Sequence, residues 1–269
     1  MRGTRETPRE GCPRSRACRA TPGTPPGARA LPYHFVAVTR AGTRSPRSGE
    51  GFVVPLGLRF DYATEVARLG RLLDALDWPA VNLAGHDYGG FLALGFAQDH
   101  PGRVRRLALL NTRAHAAFTP RWKAAFELVT PAGRTPVMRS LAPSLPLGAV
   151  HRRALGYLVR RGYLDDEQLE AYIGWMDTAE GRRWLLHYFS HYRVAVRPEL
   201  RRRLGDIGCP TAVVWGRSDS YLSASIALEP TRNIPGAEPT MLDDAGHWIM
   251  EERPAQVTAA LRHWLDRDV

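Results

Sequence analysis

Three residues of the chain have types and positions suited to nucleophilic catalysis: Asp87, Asp219 and His247. Asp87 is the middle residue of GHDYG at 85–89, a G-x-D-x-G pattern. Small residues two positions before and after a reactive side chain are typical of a sharp strand-to-helix turn that holds a nucleophile. An acid and then a histidine follow Asp87 along the chain, which is a known order for a nucleophile, acid and histidine. The sequence therefore predicts a catalytic triad of these three residues.

Each of these residues is predicted to follow a β-strand. The runs AVNLAG, TAVVWG and EPTMLD shortly precede Asp87, Asp219 and His247, respectively. Amphipathic helical patterns alternate with these runs, and such alternation is typical of a mostly parallel sheet covered by helices. Because parallel strands end at one edge of their sheet, we expect the three side chains to converge there.

The chain of 269 residues is long enough for one large α/β domain with an insertion. Residues 1–32, rich in Arg, Pro, Gly and Thr, are predicted to be a disordered tail. Residues 33–112 are predicted to form the first part of the core and residues 206–269 the second part. Residues 113–205 read as helical stretches with many aromatic side chains, and we expect them to form an inserted cap.

Three motifs of the sequence match a known family: GHDYGG at 85–90, WGRSD at 215–219 and AGHWIMEERP at 245–254. With them, the chain resembles the α/β-hydrolase superfamily. It is most similar to the branch with an aspartate nucleophile, which contains epoxide hydrolases, haloalkane dehalogenases and haloacetate dehalogenases. The resemblance covers roughly residues 33–269. It implies an α/β-hydrolase fold, with a mostly parallel sheet and a helical cap inserted into it.

An aspartate nucleophile suits attack at a saturated carbon. A carboxyl group with an ordinary pKa of about 4 is already ionised at neutral pH. It is a poor catalyst of acyl transfer, but it can displace a leaving group and form an ester between Asp87 and the substrate. Water activated by His247 would then hydrolyse that ester while Asp219 orients the imidazole. The backbone N–H of Tyr88 is the expected donor to the oxyanion of this second step.

The resemblance leaves the leaving group open between an epoxide oxygen and a halide. Haloalkane dehalogenases usually carry tryptophan after the nucleophile, so Tyr88 disfavours that subclass. Tyr192, followed by Arg193, resembles the late-cap tyrosine with which epoxide hydrolases protonate the opening ring, and Tyr188 is the next candidate. Haloacetate dehalogenases have a similar Y-R-A element. Epoxide hydrolysis is therefore the leading prediction, with haloacetate dehalogenation and ester or lactone hydrolysis as alternatives.

The sequence departs from this family at its beginning. Relatives carry early strands and an H-G-x-P loop that supplies a second oxyanion donor, and the chain contains no H-G-x-P. Residues 1–32 stand in that place without a strand pattern. Losing one oxyanion donor typically lowers a rate by about 10²–10³. We expect either that residues 1–32 are not the functional N-terminus, or that the protein is a catalytically impaired relative that binds a ligand.

Composition limits the other function classes. The net charge is +10, but the arginines are scattered rather than arranged in one stripe with aromatic residues, so we expect no nucleic-acid partner. No segment approaches the roughly 18 apolar residues of a membrane span, and no membrane partner is expected. Three cysteines are too few for a disulfide framework. We predict a cytoplasmic monomer or homodimer that acts on a small apolar organic substrate without a metal or organic cofactor.

Overall fold

The computed structural model describes most of the chain after the N-terminal region, in four stretches: residues 35–38, 60–114, 118–191 and 197–266. The predicted tail at 1–32 lies outside these stretches. So does Tyr192, the predicted acid of the cap.

In the described stretches, five parallel strands form one sheet, and strands that are neighbours in sequence are also neighbours in space. Leu107 of the third strand is paired with Thr211 of the fourth, although about 100 residues separate them in the chain. The strands are β1 (Phe35–Val38), β2 (Val81–His86), β3 (Val104–Leu110), β4 (Thr211–Gly216) and β5 (Glu238–Leu242).

Helices cover the sheet and form the segment between β3 and β4. In the described part of the chain they are α1 (Tyr62–Ala75), α2 (Tyr88–Asp99), α3 (Pro120–Ala132), α4 (Pro136–Leu141), α5 (Leu147–Arg160), α6 (Asp166–Ile173), α7 (Ala179–His191), α8 (Pro198–Arg202), α9 (Ala224–Asn233), α10 (Ile249–Glu252) and α11 (Pro254–Asp266).

Residues of β3 alternate between two cores because successive side chains of a strand point to opposite faces. Leu107 and Leu109 belong to the larger core, which also contains apolar residues of α1, α2 and α9. Ala108 and Leu110 belong to the second core, where Trp264 of α11 is 1% exposed. The sheet is thus covered by helices on both faces, as the alternating pattern predicts.

The helices α3 to α7 fall within the stretch predicted to be a cap. Some of them surround a separate apolar cluster that includes Leu158 of α5, Ile173 of α6 and Leu185 of α7. The start of α6 is set by a capping box, in which Asp165 and Gln168 exchange side-chain-to-backbone hydrogen bonds. The prediction of a mostly parallel sheet with an inserted helical segment is confirmed.

No helix in the described stretches combines the length and the apolar character needed to cross a membrane.

Candidate active site

Asp87 occupies a sharp turn between the end of β2 and the start of α2. Its backbone has φ 49° and ψ −121°, a region that residues other than glycine rarely adopt. The turn is tight enough that a Cβ on Gly85 would lie 2.6 Å from the carbonyl oxygen of Gly89. The small residues of the G-x-D-x-G pattern therefore let strand and helix approach closely.

Hydrogen bonds from β3, from α2 and from the segment after β3 hold the backbone of Asp87 in this conformation. Its N–H donates to the carbonyl of Leu110 at the end of β3, at 3.1 Å. Its carbonyl accepts from the N–H of Phe91 at 3.1 Å and from the hydroxyl of Thr112. The strained turn is therefore fixed by its surroundings.

The structure brings the three predicted triad residues together. His247 Nδ1 donates to Asp219 Oδ2 at 2.8 Å, and Nε2 of the same ring lies 4.0 Å from Asp87 Oδ1. All three side chains are buried. The longer distance exceeds a direct hydrogen bond, but it is short enough for one water molecule to contact both groups. This arrangement fits a base that activates water next to a carboxylate.

Donors on both side-chain oxygens of Asp219 fix the orientation of its carboxyl group. The backbone N–H groups of Tyr221 and Leu222 donate to Oδ1 at 2.7 and 2.9 Å. Oδ2 accepts from the side-chain amide of Asn111 at 2.6 Å as well as from His247. These bonds leave Asp219 oriented toward the imidazole.

Asn111 is a residue that the sequence reasoning missed. It follows β3 directly and has φ 37°, a left-handed conformation that asparagine tolerates better than most residues. Its side-chain oxygen Oδ1 accepts from the backbone N–H of Gly216 at 3.0 Å, which ties it to the end of β4. A polar residue at the carboxyl end of a predicted central strand was the signal that could have identified it.

His86, which precedes the candidate nucleophile, is a second residue that was missed. Its Nε2–H donates to the backbone carbonyl of His247 at 2.8 Å, and its ring lies 4.8 Å from the His247 ring between centroids. Burial, and secondly the neighbouring His247, lower the pKa of His86 to about 4. His86 is therefore neutral at pH 7 and braces the loop that carries His247.

Aromatic side chains adjoin the triad. Tyr88 is buried at the first position of α2, where the positive end of the helix dipole favours negative charge. Its ring lies 6.3 Å from that of the buried Tyr188 on α7, and the Tyr221 ring lies 4.6 Å from that of His247. Of the two predicted cap tyrosines, Tyr188 thus packs against the residue after Asp87, while Tyr192 lies outside the described residues.

Within the described stretches, no group of three or more His, Cys, Asp or Glu side chains is arranged to hold a metal ion.

Comparison with known proteins gives the family. A model of the alpha/beta hydrolase fold family matches residues 39–254. A 2-hydroxy-6-oxononadienedioate/2-hydroxy-6-oxononatrienedioate hydrolase from Paraburkholderia xenovorans is 28% identical over 187 residues, which make up 67% of this chain. The match spans only 60% of that relative's length.

Solved structures agree with this result. A hydrolase from Pseudomonas aeruginosa PA01 is 25% identical with a TM-score of 0.60, over 80% of this chain and 75% of that one. A mutant epoxide hydrolase from Bacillus megaterium shares the fold with a TM-score of 0.61 and 18% identity, over 77% of each chain. The aspartate-nucleophile branch stays a prediction, whereas the broader predicted family is confirmed. The chain belongs to the alpha/beta hydrolase fold family.

Proposed function

We propose that the chain is a hydrolase that opens small apolar epoxides through a covalent ester on Asp87. The observation that carries the proposal is a carboxylate at the strained turn where a triad places its nucleophile. Its Oδ1 lies 4.0 Å from Nε2 of a histidine that is itself bonded to Asp219. A carboxylate in this position needs no base for its own attack, so the histidine is available for a second step.

In the first step, a carboxylate oxygen of Asp87 attacks a ring carbon of the epoxide. The carbon–oxygen bond of the ring breaks, and the ring oxygen leaves with the bonding electrons and takes a proton from a tyrosine hydroxyl. We assign this proton to Tyr192, with Tyr188 as the second candidate. Tyr188 is supported as a proton donor by its burial and by its ring contact with Tyr88.

In the second step, His247 Nε2 takes a proton from water, and the water oxygen attacks the ester carbon of Asp87. The negative charge that develops on the carbonyl oxygen would be stabilised by the backbone N–H of Tyr88. Collapse of this intermediate breaks the original ester bond, and the departing alkoxide takes the remaining proton of the attacking water, so that a diol is released. Asp87 regains its carboxylate with one oxygen from water, and the imidazolium returns its proton to the tyrosinate through solvent.

The surroundings of the triad support an apolar substrate. Phe91, Tyr188 and Trp184 are joined to Tyr88 by a chain of ring contacts, with Trp184 stacked on Tyr188 at 5.7 Å. Such rings offer large apolar contact areas. The proposed substrate is therefore a small apolar organic molecule.

Hydrolysis of an oxo-dioate is a second candidate, favoured by the 28% identity with the Paraburkholderia hydrolase that carries that name. Asp87 counts against it. A carboxylate that adds to a carbonyl carbon is a far better leaving group than the group it must expel, because its conjugate acid has a pKa of only about 4. The adduct would therefore revert to substrate.

Intact-mass spectrometry and product analysis with styrene oxide test the proposal. The parent protein is expected to form the diol, and Asp87→Asn is expected to lose turnover. His247→Gln should keep the first step and accumulate protein that is heavier by the mass of the epoxide. Turnover in H₂¹⁸O under single-turnover conditions should place the label in the Asp87 carboxylate.

The alternatives give different results in the same assays. Epoxide turnover by the parent with no adduct on His247→Gln would overturn the covalent ester. Chloride release from chloroacetate without epoxide turnover would point to a haloacetate dehalogenase. Turnover of p-nitrophenyl acetate alone, retained in Asp87→Asn, would point to an ester hydrolase. A folded protein inactive on all three would fit a ligand-binding relative.

A further inference from the structure

The loop that carries His247 donates hydrogen bonds to the buried carboxylate of Glu252, a residue that has no part in the proposed chemistry. We call residues 243–248, between β5 and α10, the histidine loop. The N–H of Gly246 donates to Glu252 Oε2 at 2.6 Å, and the N–H of Trp248 donates to Glu252 Oε1 at 3.3 Å. These residues flank His247 on both sides, and Glu252 is only 6% exposed. One carboxylate therefore anchors the backbone immediately before and after the candidate base.

The close approach of this carboxylate depends on Gly246. A Cβ at that position would lie 2.9 Å from Glu252 Oε1 and 3.2 Å from Oε2. On the other side of the loop, His86 donates to the His247 carbonyl at 2.8 Å. The peptide groups around His247 are thus held from two directions, and the position of the imidazole follows from them.

The inserted helices contribute a third donor to the same carboxylate. Tyr157, on α5, donates its hydroxyl to Glu252 Oε1 at 2.9 Å. Burial, and secondly the negative charge of Glu252, raise the pKa of Tyr157. The hydroxyl therefore stays protonated at neutral pH and remains a donor. A carboxylate buried without partners would be unfavourable, and here all three of its partners are neutral groups.

A second contact between the insertion and α10 lacks this link to His247. The hydroxyl of Tyr172, on α6, donates to Glu251, which neighbours Glu252 in sequence. Tyr172 is 50% exposed, and Glu251 contacts the histidine loop through its backbone N–H, which donates to the carbonyl of Trp248. This tyrosine–glutamate pair is therefore a matched control for Tyr157 and Glu252.

We propose that Glu252 is a positioning residue that sets the place of His247 and couples it to the inserted helices through Tyr157. The inference rests on the proposed function, because the step that it controls is hydrolysis of the Asp87 ester. Attack by Asp87 needs no help from His247. Displacement of the histidine loop should therefore slow the second step and leave the first step nearly unchanged.

Single-turnover kinetics with styrene oxide separate the two steps. Glu252→Gln cannot accept all three hydrogen bonds, and we expect ester decay to slow at least tenfold while ester formation changes less than twofold. Tyr157→Phe should slow decay about threefold. Tyr172→Phe should leave both rates at the parent values. The double variant of Glu252 and Tyr157 should decay no more slowly than Glu252→Gln alone, because the two side chains act through one contact.

Equal slowing of both steps in Glu252→Gln would show a general structural defect and overturn the assignment. An unchanged decay rate in Tyr157→Phe, a milder variant expected to fold, would overturn the coupling to the insertion.

A second measurement does not depend on turnover. In protein labelled with ¹⁵N-histidine, the Nδ1–H resonance of His247 reports its bond to Asp219. It should shift in Glu252→Gln and in Tyr157→Phe but not in Tyr172→Phe. If the parent forms no ester but these shifts occur, the proposed function fails while the positioning role stands. Unchanged resonances in all variants would overturn the positioning role itself.

Discussion

Asp87 adopts a backbone conformation that favours glycine, yet it carries the side chain of the candidate nucleophile. Non-glycine residues in such conformations cost about 1–3 kcal/mol, and they persist only where neighbouring groups hold them. Leu110, Phe91 and Thr112 supply those hydrogen bonds here. A substitution that relieves this strain should raise the stability of the protein, but it would also remove the candidate nucleophile and lower activity.

Replacing Asp87 with glycine should therefore stabilise the fold while abolishing the proposed activity. We expect Asp87→Gly to have a free energy of unfolding about 1–2 kcal/mol higher than that of Asp87→Ala, because alanine keeps the Cβ and the strain. Urea unfolding of the two variants measures the difference. Equal stability of the two would mean that the turn is not strained.

His86 should make stability depend on pH. Its pKa in the folded state, about 4, lies below the ordinary value of 6.5. As pH falls through 6.5, the unfolded chain takes up a proton that the folded protein resists until about pH 4. This group therefore lowers the free energy of unfolding by about 2–3 kcal/mol between pH 7 and pH 4.

The variant His86→Gln isolates this contribution. The amide of glutamine can still donate to the His247 carbonyl but does not titrate. We expect its free energy of unfolding to fall less steeply than that of the parent between pH 7 and pH 4. Chemical unfolding at several pH values gives both curves, and parallel curves would contradict the burial of a neutral His86.

At the scale of elements, α1 and α2 approach each other through a glycine. A Cβ on Gly95 of α2 would lie 1.4 Å from the hydroxyl oxygen of Tyr62 on α1. Tyr62 in turn packs edge-on against Phe91 at 5.1 Å. Helix α2 begins directly after the candidate nucleophile, and two turns later it packs against α1 through Gly95.

Gly95→Ala should destabilise the protein by about 1–3 kcal/mol, the usual cost of overpacking. Gly156→Ala is the matched control, because it lies inside α5 and its Cβ would meet only the end of the Arg160 side chain, at 3.2 Å. There, alanine should stabilise by about 0.5–1 kcal/mol through its helix propensity. Thermal unfolding compares the two. Destabilisation by both changes to the same extent would count against the specific contact.

Most elements of the sheet could be predicted because their apolar runs are long and bounded by turn residues. AVNLAG and TAVVWG predict β2 and β4 almost to the residue, and the order of Asp87, Asp219 and His247 predicts their convergence. The separate roles of Glu251 and Glu252 could not be predicted. The two are identical in type and adjacent, and only the folded position of Gly246 decides which carboxylate is buried.

At the scale of the whole molecule, the positive charge is dispersed. Of the excess of ten, a large part comes from the first thirty residues, where seven arginines accompany two glutamates. Elsewhere, many arginines are paired with carboxylates, as Arg152 is with Glu170 and Asp177. Such exposed pairs add little stability, but they neutralise the surface locally.

We therefore expect no salt-resistant binding to nucleic acid. Fluorescence anisotropy with a labelled DNA duplex should show a Kd no tighter than about 10⁻⁶ M in 150 mM NaCl, the range of non-specific contacts. Any binding at low salt should weaken steeply as salt is added. Submicromolar affinity that persists at 150 mM NaCl would contradict the predicted absence of a nucleic-acid partner.

The pairing of β3 with β4 has a consequence for synthesis of the chain. About 100 residues lie between the two strands, and at about 5–20 residues per second a ribosome needs about 5–20 s to translate them. During that interval β3, in which five of the seven residues are apolar and six are buried in the finished sheet, has an open edge. Open apolar edges recruit other strands. The nascent chain is therefore most prone to aggregate, and most in need of a chaperone, while its inserted helices are being made.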